Sequence, residues 1–317
     1  MTRKRLGIGV VFIALSAKAR LFAAQPIDVT FGGVLSDFTG PVRVGEARIA
    51  IDGANREVFV GEARDVRVFN DAGMAVFKFQ IASGLGAIRD LAVLPSGEIL
   101  ALAYDLSAPG DRPRFVLARH DYRGGLRGEV ALTGIPAEFA DILPNRMVFR
   151  KDRLVLASTM QLLAVEAMLD GTFVRGWDLG KILEIADEDR STVEISGLNV
   201  DPEGNLLLTC AVLFRAFVVS RDGTVSSWGK AGAAPGTFGN IGGIAADGSG
   251  HTFVVDKLRG VISVFDEKFR FQMEFGGDPS RPGRLGRPSE VVHDGAGRLY
   301  VTQVGRGGVW TFDIRPQ

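Results

Sequence analysis

Cysteine is all but missing from this chain. The single Cys210 rules out an internal disulfide, so a large hydrophobic core must hold the fold. Histidine is scarce as well: His120, His251 and His293 are the only three, and no two stand at the short spacing of a metal motif. With no CxxCH sequence the chain carries no covalent haem of its own. An excess of charge of either sign is also lacking. Thirty-seven basic side chains meet 37 acidic ones, a net charge of zero, which argues against a nucleic-acid or anionic-membrane binder working over its whole surface. Recognition of charge must then be local. No residue cluster has a catalytic or metal-ligating signature, and no cofactor, metal or catalytic group is expected.

What is present begins with residues 1–24, MTRKRLGIGVVFIALSAKARLFAA. A basic start is followed by an apolar run from Leu6 to Ala17 and then by small residues, the pattern of a secretory signal peptide. The run is shorter than the ~20 residues of a spanning helix, and polar, strand-like sequence follows. Cleavage after Ala19 satisfies an A-x-A pattern and cleavage after Ala24 is the alternative; Lys18 and Arg20 keep an uncleaved anchor open. The expectation is a periplasmic or secreted, monomeric protein with no membrane span after cleavage and residues 25–317 as a single domain.

Those residues repeat. The stretch from Gly243 to Gly277 and a second copy from Glu290 share a short apolar strand, a tight turn (Asp247-Gly248-Ser249-Gly250 in the first) and a second strand, Thr252 to Val255. Val261 to Asp266 and Phe271 to Phe275 give the third and fourth strands. Further copies begin at Ile49, Leu91, Met147 and Leu198, the one at Met147 degenerate, which makes six. The turn acids Asp201, Asp247 and Asp294 lie 46 and 47 residues apart, the length of one unit. A four-stranded antiparallel meander cannot bury both faces alone, and the closed solution for several is a ring. The last copy ends before its fourth strand, whereas Ile27 to Gly33 carries the Phe-Gly-Gly ending of Phe275-Gly276-Gly277. The expected fold is therefore all-β, a six-bladed β-propeller of four-stranded blades, with the N-terminal strand completing the last blade against Val309 to Phe312 and protecting the ring from opening.

On Gly243-Ile-Ala-Ala-Asp247, Phe253-Val-Val-Asp256, Val261 to Asp266, Phe275-Gly276-Gly277 and their counterparts, the chain resembles the NHL-repeat family of six-bladed propellers. The resemblance covers nearly all of residues 25–317 and is weakest in the third copy. It implies the fold strongly and the function weakly, because such propellers serve as binding scaffolds, interaction modules and a few lyases. Zinc-binding lyases of the family place histidines on inner strands around the mouth, whereas His251 here falls in a turn. Six-bladed lactonases hold calcium with an inner acid and asparagines, for which Asp90, Glu290 and Asn145 are the nearest positions.

In a propeller the first strand of each blade lines the channel, and the loops between blades surround its mouth. The residues that start the inner strands are Arg48, Asp90, Arg146 or Asn145, Gly197, Gly243 and Glu290. Such a ring suits a small polar or zwitterionic ligand, arginines taking carboxylate or phosphate and acids taking a cation. Alternatively Arg48 and Glu290, neighbours across the closure, form a structural latch. One layer out, Asp256 aligns with Cys210 and Gln303. Asp256 and Gln303 are counted with the mouth, although an acid at that position also suits tying down the following turn; Cys210 reads as a small buried residue or a reactive thiol. On the rim, Glu184, Asp187, Glu188, Asp189 and Glu194 between blades three and four face a basic set, Arg281, Arg284 and Arg287, between blades five and six, with Lys257, Arg259 and Arg306 nearby. Opposite charges on one face can orient a partner protein; the alternative is two solvated loops. The reading is a binding or scaffold protein acting on another protein through the rim. A hydrolase or lyase with a polar site at the mouth, and a structural subunit of an envelope or electron-transfer assembly, are the alternatives.

Overall fold

Six antiparallel sheets of four strands each form a ring, a six-bladed β-propeller. The computed structural model describes residues 25–108, 114–278, 280–305 and 307–317. Residues 1–24, the expected signal peptide, and Arg306 lie outside the described residues. The inner strands are Arg48–Asp52, Asp90–Val93, Arg146–Arg150, Gly197–Val200, Ile241–Ala246 and Pro288–His293, blades one to six in chain order. In blade five, Thr252–Asp256, Val261–Phe265 and Phe271–Phe275 follow outward.

Apolar character grades with radius. The second strand Leu206–Cys210 is buried throughout, whereas the outer strand Val225–Trp228 buries only Trp228. Neighbouring blades bury these faces against each other, and one hydrophobic cluster fills each of the six seams. Burial of this kind, at about 25 cal/mol per Å² of apolar surface, replaces the disulfides the sequence lacks. Cys210 is a free, fully buried thiol in the seam of blades three and four, and burial pushes its pKa up.

The ring closes as the sequence implies, but in a different register. Ile27–Val34 is the outer strand of blade six and pairs with Val309–Pro316. Ile27 to Phe31 lie opposite Pro316 to Phe312, and only Gly33 and Val34 face Thr311 and Trp310. The shift arises because the last strand runs on to Pro316, which lets Ile27 and Ile314 enter the seam between blades five and six. Gly32 is the bulge that absorbs the mismatch. His251 fastens the start of this strand: its Nε2 lies 2.8 Å from the carbonyl oxygen of Gln25 and its Nδ1 2.6 Å from Asp247 Oδ2. Both ring nitrogens face acceptors, which favours the imidazolium. Burial alone would lower the His251 pKa, but the Asp247 carboxylate outweighs it and the pKa is raised.

The third copy is degenerate for a visible reason. Arg150 pairs directly with Arg153, so its first hairpin turns on Lys151 and Asp152 alone, with Lys151 in the left-handed region at φ 58. The other copies spend more residues on that turn, which is the gap the alignment requires.

Candidate functional site

All six inner strands line one cavity of about 240 Å³ along the channel axis. The mouth is asymmetric because two of its six positions are glycines that hold blades together. A Cβ on Gly197 would sit 2.3 Å from the carbonyl oxygen of Gly242, and one on Gly243 2.7 Å from the Cα of Glu290. Side chains therefore come only from blades one, two, three and six.

They converge on Glu290. Arg48 Nη1 donates to Glu290 Oε1 at 2.9 Å and Arg146 Nη2 donates to the same oxygen at 2.5 Å. Blade three stands across the ring from blade six, so Arg146 bars the channel, while Arg48 spans the closure seam. Arg48 Nε also donates to the Arg89 carbonyl at 2.9 Å, and the Arg89 guanidinium lies 5.0 Å from the centroid of Tyr104. These are well-covered groups, with side chains 25% exposed for Arg48, 17% for Glu290 and 13% for Arg146. Burial raises the Glu290 pKa, opposed by the charges of Arg48 and Lys257.

Asp90 has a different task. Its Oδ2 accepts from the amide of Met147 at 2.8 Å and its Oδ1 from the amide of Leu91 at 3.0 Å, so blade two pins the start of blade three's inner strand. Part of its surface is open to the lumen, yet the lumen is walled by protein on every side. That confinement pushes its carboxyl from 3.8 up to about 7, against the pull of Arg48. Toward the far end lie Asn199, Arg150 and His293. The backbone N–H of Gly295 donates to His293 Nδ1 at 3.1 Å, which leaves the ring proton on Nε2, and burial lowers this histidine's pKa.

Of the six residues assigned to the mouth from sequence, four line the cavity: Arg48, Asp90, Arg146 and Glu290. Asp256 and Gln303 do not, a correction with a clear cause. Asp256 is fully buried, and its carboxylate accepts from the amides of Gly239, Asn240, Leu258 and Arg259. Gln303 Oε1 accepts from the amide of Gly286 at 2.6 Å. Asp256 ties down the turn that follows it through the amides of Leu258 and Arg259, as expected for an acid at that position, and both it and Gln303 clamp the loop that leads into their own blade. Glu62 does the same for Gly45 and Gln161 for Leu143. The partners stand 17 residues apart in three of these clamps and 18 in the fourth, a spacing the sequence carried but which its varied acceptors hid. Asn145, the alternative to Arg146 and the third oxygen donor of the calcium arrangement, exchanges bonds with Thr159 instead. Among the described residues no group of three or more His, Cys, Asp and Glu is placed to hold a metal ion. His120 is buried beside Phe79, outside the cavity.

Around the mouth, Arg281, Arg284 and Arg287 are exposed, with Arg281 3.1 Å from Asp278. Glu188 and Asp189 are exposed in the short turn Asp187–Asp189. Both sets lie in connections between blades, hence on the face where the inner strands begin. The opposite face has a wider depression of about 1080 Å³, where two of the lining acids are taken up by turns: Asp201 by Asn205, and Asp247 by Ser249 and His251. No helix among the described residues is long and apolar enough to cross a membrane.

No family model and no curated protein matches the chain. Solved structures do share its fold. A streptogramin B lyase is 12% identical, over 92% of this chain and 88% of that one, with a TM-score of 0.53. A Bacteroides thetaiotaomicron protein of unknown function is 13% identical, over 92% and 76%, with a TM-score of 0.61. The PQQ-bound aldose sugar dehydrogenase of Streptomyces coelicolor is 14% identical, over 92% and 100%, with a TM-score of 0.59. At such identities the likeness extends to the propeller and stops there.

Proposed function

We propose that this is an exported, NHL-like propeller that works by binding another protein through the loop rim around its channel mouth. The observation that supports it is the division of charge on that face. The mouth charges face inward and pair, Arg48 and Arg146 with Glu290, whereas the rim presents exposed arginines in one connection and exposed acids in another. Separated charges of this kind steer and orient a partner more than they add affinity.

Reversing Arg281, Arg284 and Arg287 to glutamate tests it. The reversed protein is expected to lose its partner from an envelope extract at low salt, with a smaller difference between the two proteins at high salt, where steering is screened. Undiminished recovery of the same partner by the reversed protein defeats the rim reading.

One observation favours a second reading, a lyase or hydrolase acting in the channel: Asp90, held near 7, is tuned for proton transfer at neutral pH. The variant Asp90→Asn separates the two, since it removes such an acid or base and leaves the rim untouched.

A further inference from the structure

Two arginines share one carboxylate oxygen at the top of a walled cavity. A guanidinium carries five N–H donors. The bonds to Glu290 Oε1 and to the Arg89 carbonyl engage two of Arg48's, and the bond to Glu290 engages one of Arg146's. The charged groups that face the cavity are Arg48 from blade one, Asp90 from blade two, Arg146 and Arg150 from blade three, and Glu290, His293 and Asp294 from blade six; Lys257 of blade five stands close enough to act on Glu290. At the mouth two guanidinium groups thus converge on one glutamate, and the Lys257 ammonium behind them adds a third positive charge against the two carboxylates Glu290 and Asp90. The balance favours one more negative charge.

We propose that the channel takes a small carboxylate, which replaces Glu290 as the acceptor between Arg48 and Arg146. This deepens the binding reading and places a second ligand beneath the partner face. Carboxylate is favoured over other anions because a carboxylate already occupies the position, with both arginines oriented on it. A small ligand is required because about 240 Å³ is below the range of roughly 300–1,000 Å³ usual for drug-sized sites. The Arg146 to Glu290 contact is then the bar across the mouth, and the ligand opens it by supplying the same chemistry. Protonation of Asp90 removes a competing negative charge from the site, so binding strengthens as pH falls through neutrality.

The test is calorimetric titration of the exported protein with acetate, lactate and succinate, with inorganic phosphate, glucose and an acidic peptide as contrasts. At least one of the three small acids is expected to bind at about 1 mM or tighter, and more tightly at pH 6 than at pH 8. Arg146→Met should weaken it at least tenfold. Glu290→Gln, which removes the internal competitor, should tighten it severalfold even as the fold loses stability. That opposite pair of effects distinguishes a ligand site from a purely structural latch. The proposal is overturned if none of the three acids binds, if phosphate binds as well as they do, or if Glu290→Gln weakens binding as Arg146→Met does. Binding of the acidic peptide alone also overturns it and leaves the rim reading standing, whereas small-acid binding with an unaltered partner after rim reversal does the converse.

Discussion

Arg146 of blade three reaches across the channel to Glu290 of blade six, its Nη2 2.5 Å from Oε1. The contact joins blades that share no seam, so it constrains the ring in a way blade packing does not. Arg48 meets the same oxygen from blade one, and the two ion pairs are unequal in what their loss exposes. Arg146→Met leaves Glu290 paired with Arg48; Glu290→Gln leaves two guanidinium groups facing each other. Breaking a buried pair costs about 3–5 kcal/mol, and these groups are partly open to the lumen, so the expected losses in denaturant unfolding are smaller, with Glu290→Gln the greater of the two. An Arg146→Met variant as unstable as Glu290→Gln would show that the bar across the channel is not shared as described.

Asp90 should make the fold sensitive to pH in the acid range. Burial in the channel raises its carboxyl from 3.8 to about 7, and Arg48 and Glu290 pull in opposite directions on it. Between those values the folded protein holds a proton that the unfolded chain has released. The Asp90 contribution to stability therefore declines as pH rises from 3.8 to about 7 and is level beyond. In Asp90→Asn that part of the slope should vanish from unfolding curves taken across the window; a slope equal to the parent's would refute the assignment.

His251 works in the same direction but at higher pH. Its pKa is raised above 6.5 despite burial, through Asp247 and the Gln25 carbonyl. A cation favoured in the fold contributes stability that is complete below 6.5 and is lost as pH rises through the folded value. The expected sign is a loss of melting temperature toward alkaline pH that His251→Gln abolishes. Should the variant keep the parent's alkaline decline, His251 is not the group that secures the N-terminal strand.

The architecture was legible because its signals are local. Turn acids recur at the blade length, and the Phe-Gly-Gly ending at residues 31–33 announces the strand missing from the C-terminus. The Arg48 to Glu290 pair was legible too, since both residues start inner strands in adjacent blades. Arg146 was harder: its copy turns in two residues, which blurred the choice between it and Asn145. Its reach across the channel depends on a ring diameter that no sequence spacing encodes. Asp256 and Gln303 were drawn toward the mouth by alignment alone. Their side chains turn into the loops because unpaired amides there are costly to bury, a demand set by the packed loop and not by the strand pattern.

That demand gives a graded prediction. Asp256 accepts from four backbone amides and Gln303 from one. Net hydrogen bonds to a charged acceptor are worth about 1.5–3 kcal/mol and neutral ones about 1 kcal/mol, with a further penalty for each donor left buried. Asp256→Ala should then destabilise by at least about 3 kcal/mol and Gln303→Ala by about 1–2 kcal/mol. Neither should alter binding of a small carboxylate by the folded fraction. A change in that affinity larger than the change in stability would return these residues to the mouth.

The closure carries the most weight, because a propeller missing one outer strand exposes an edge along a whole blade. Ile27–Val34 supplies that strand, and its Phe31 ring lies 5.2 Å from Trp310 and 5.7 Å from Phe312 by centroid. Removing residues 25–33 takes away the strand's ladder bonds, the His251 to Gln25 contact and part of the seam of blades five and six together. The shortened protein should melt at least about 10 °C lower, given that 1 kcal/mol shifts a chain of this size by about 2–4 °C. Failure of that variant to fold would leave the register untested, so Phe31→Ala provides a milder probe. Phe31 is only half-buried, and its loss should cost about 2 kcal/mol, less than the 3–5 kcal/mol of a fully buried phenylalanine. An equivalent truncation at the exposed Phe38, outside the ladder, should cost almost nothing. If Phe31→Ala proves as harmless as Phe38→Ala, or if the deletion melts within a few degrees of the parent, the ring is closed by the other seams and the N-terminal strand is an ornament on it.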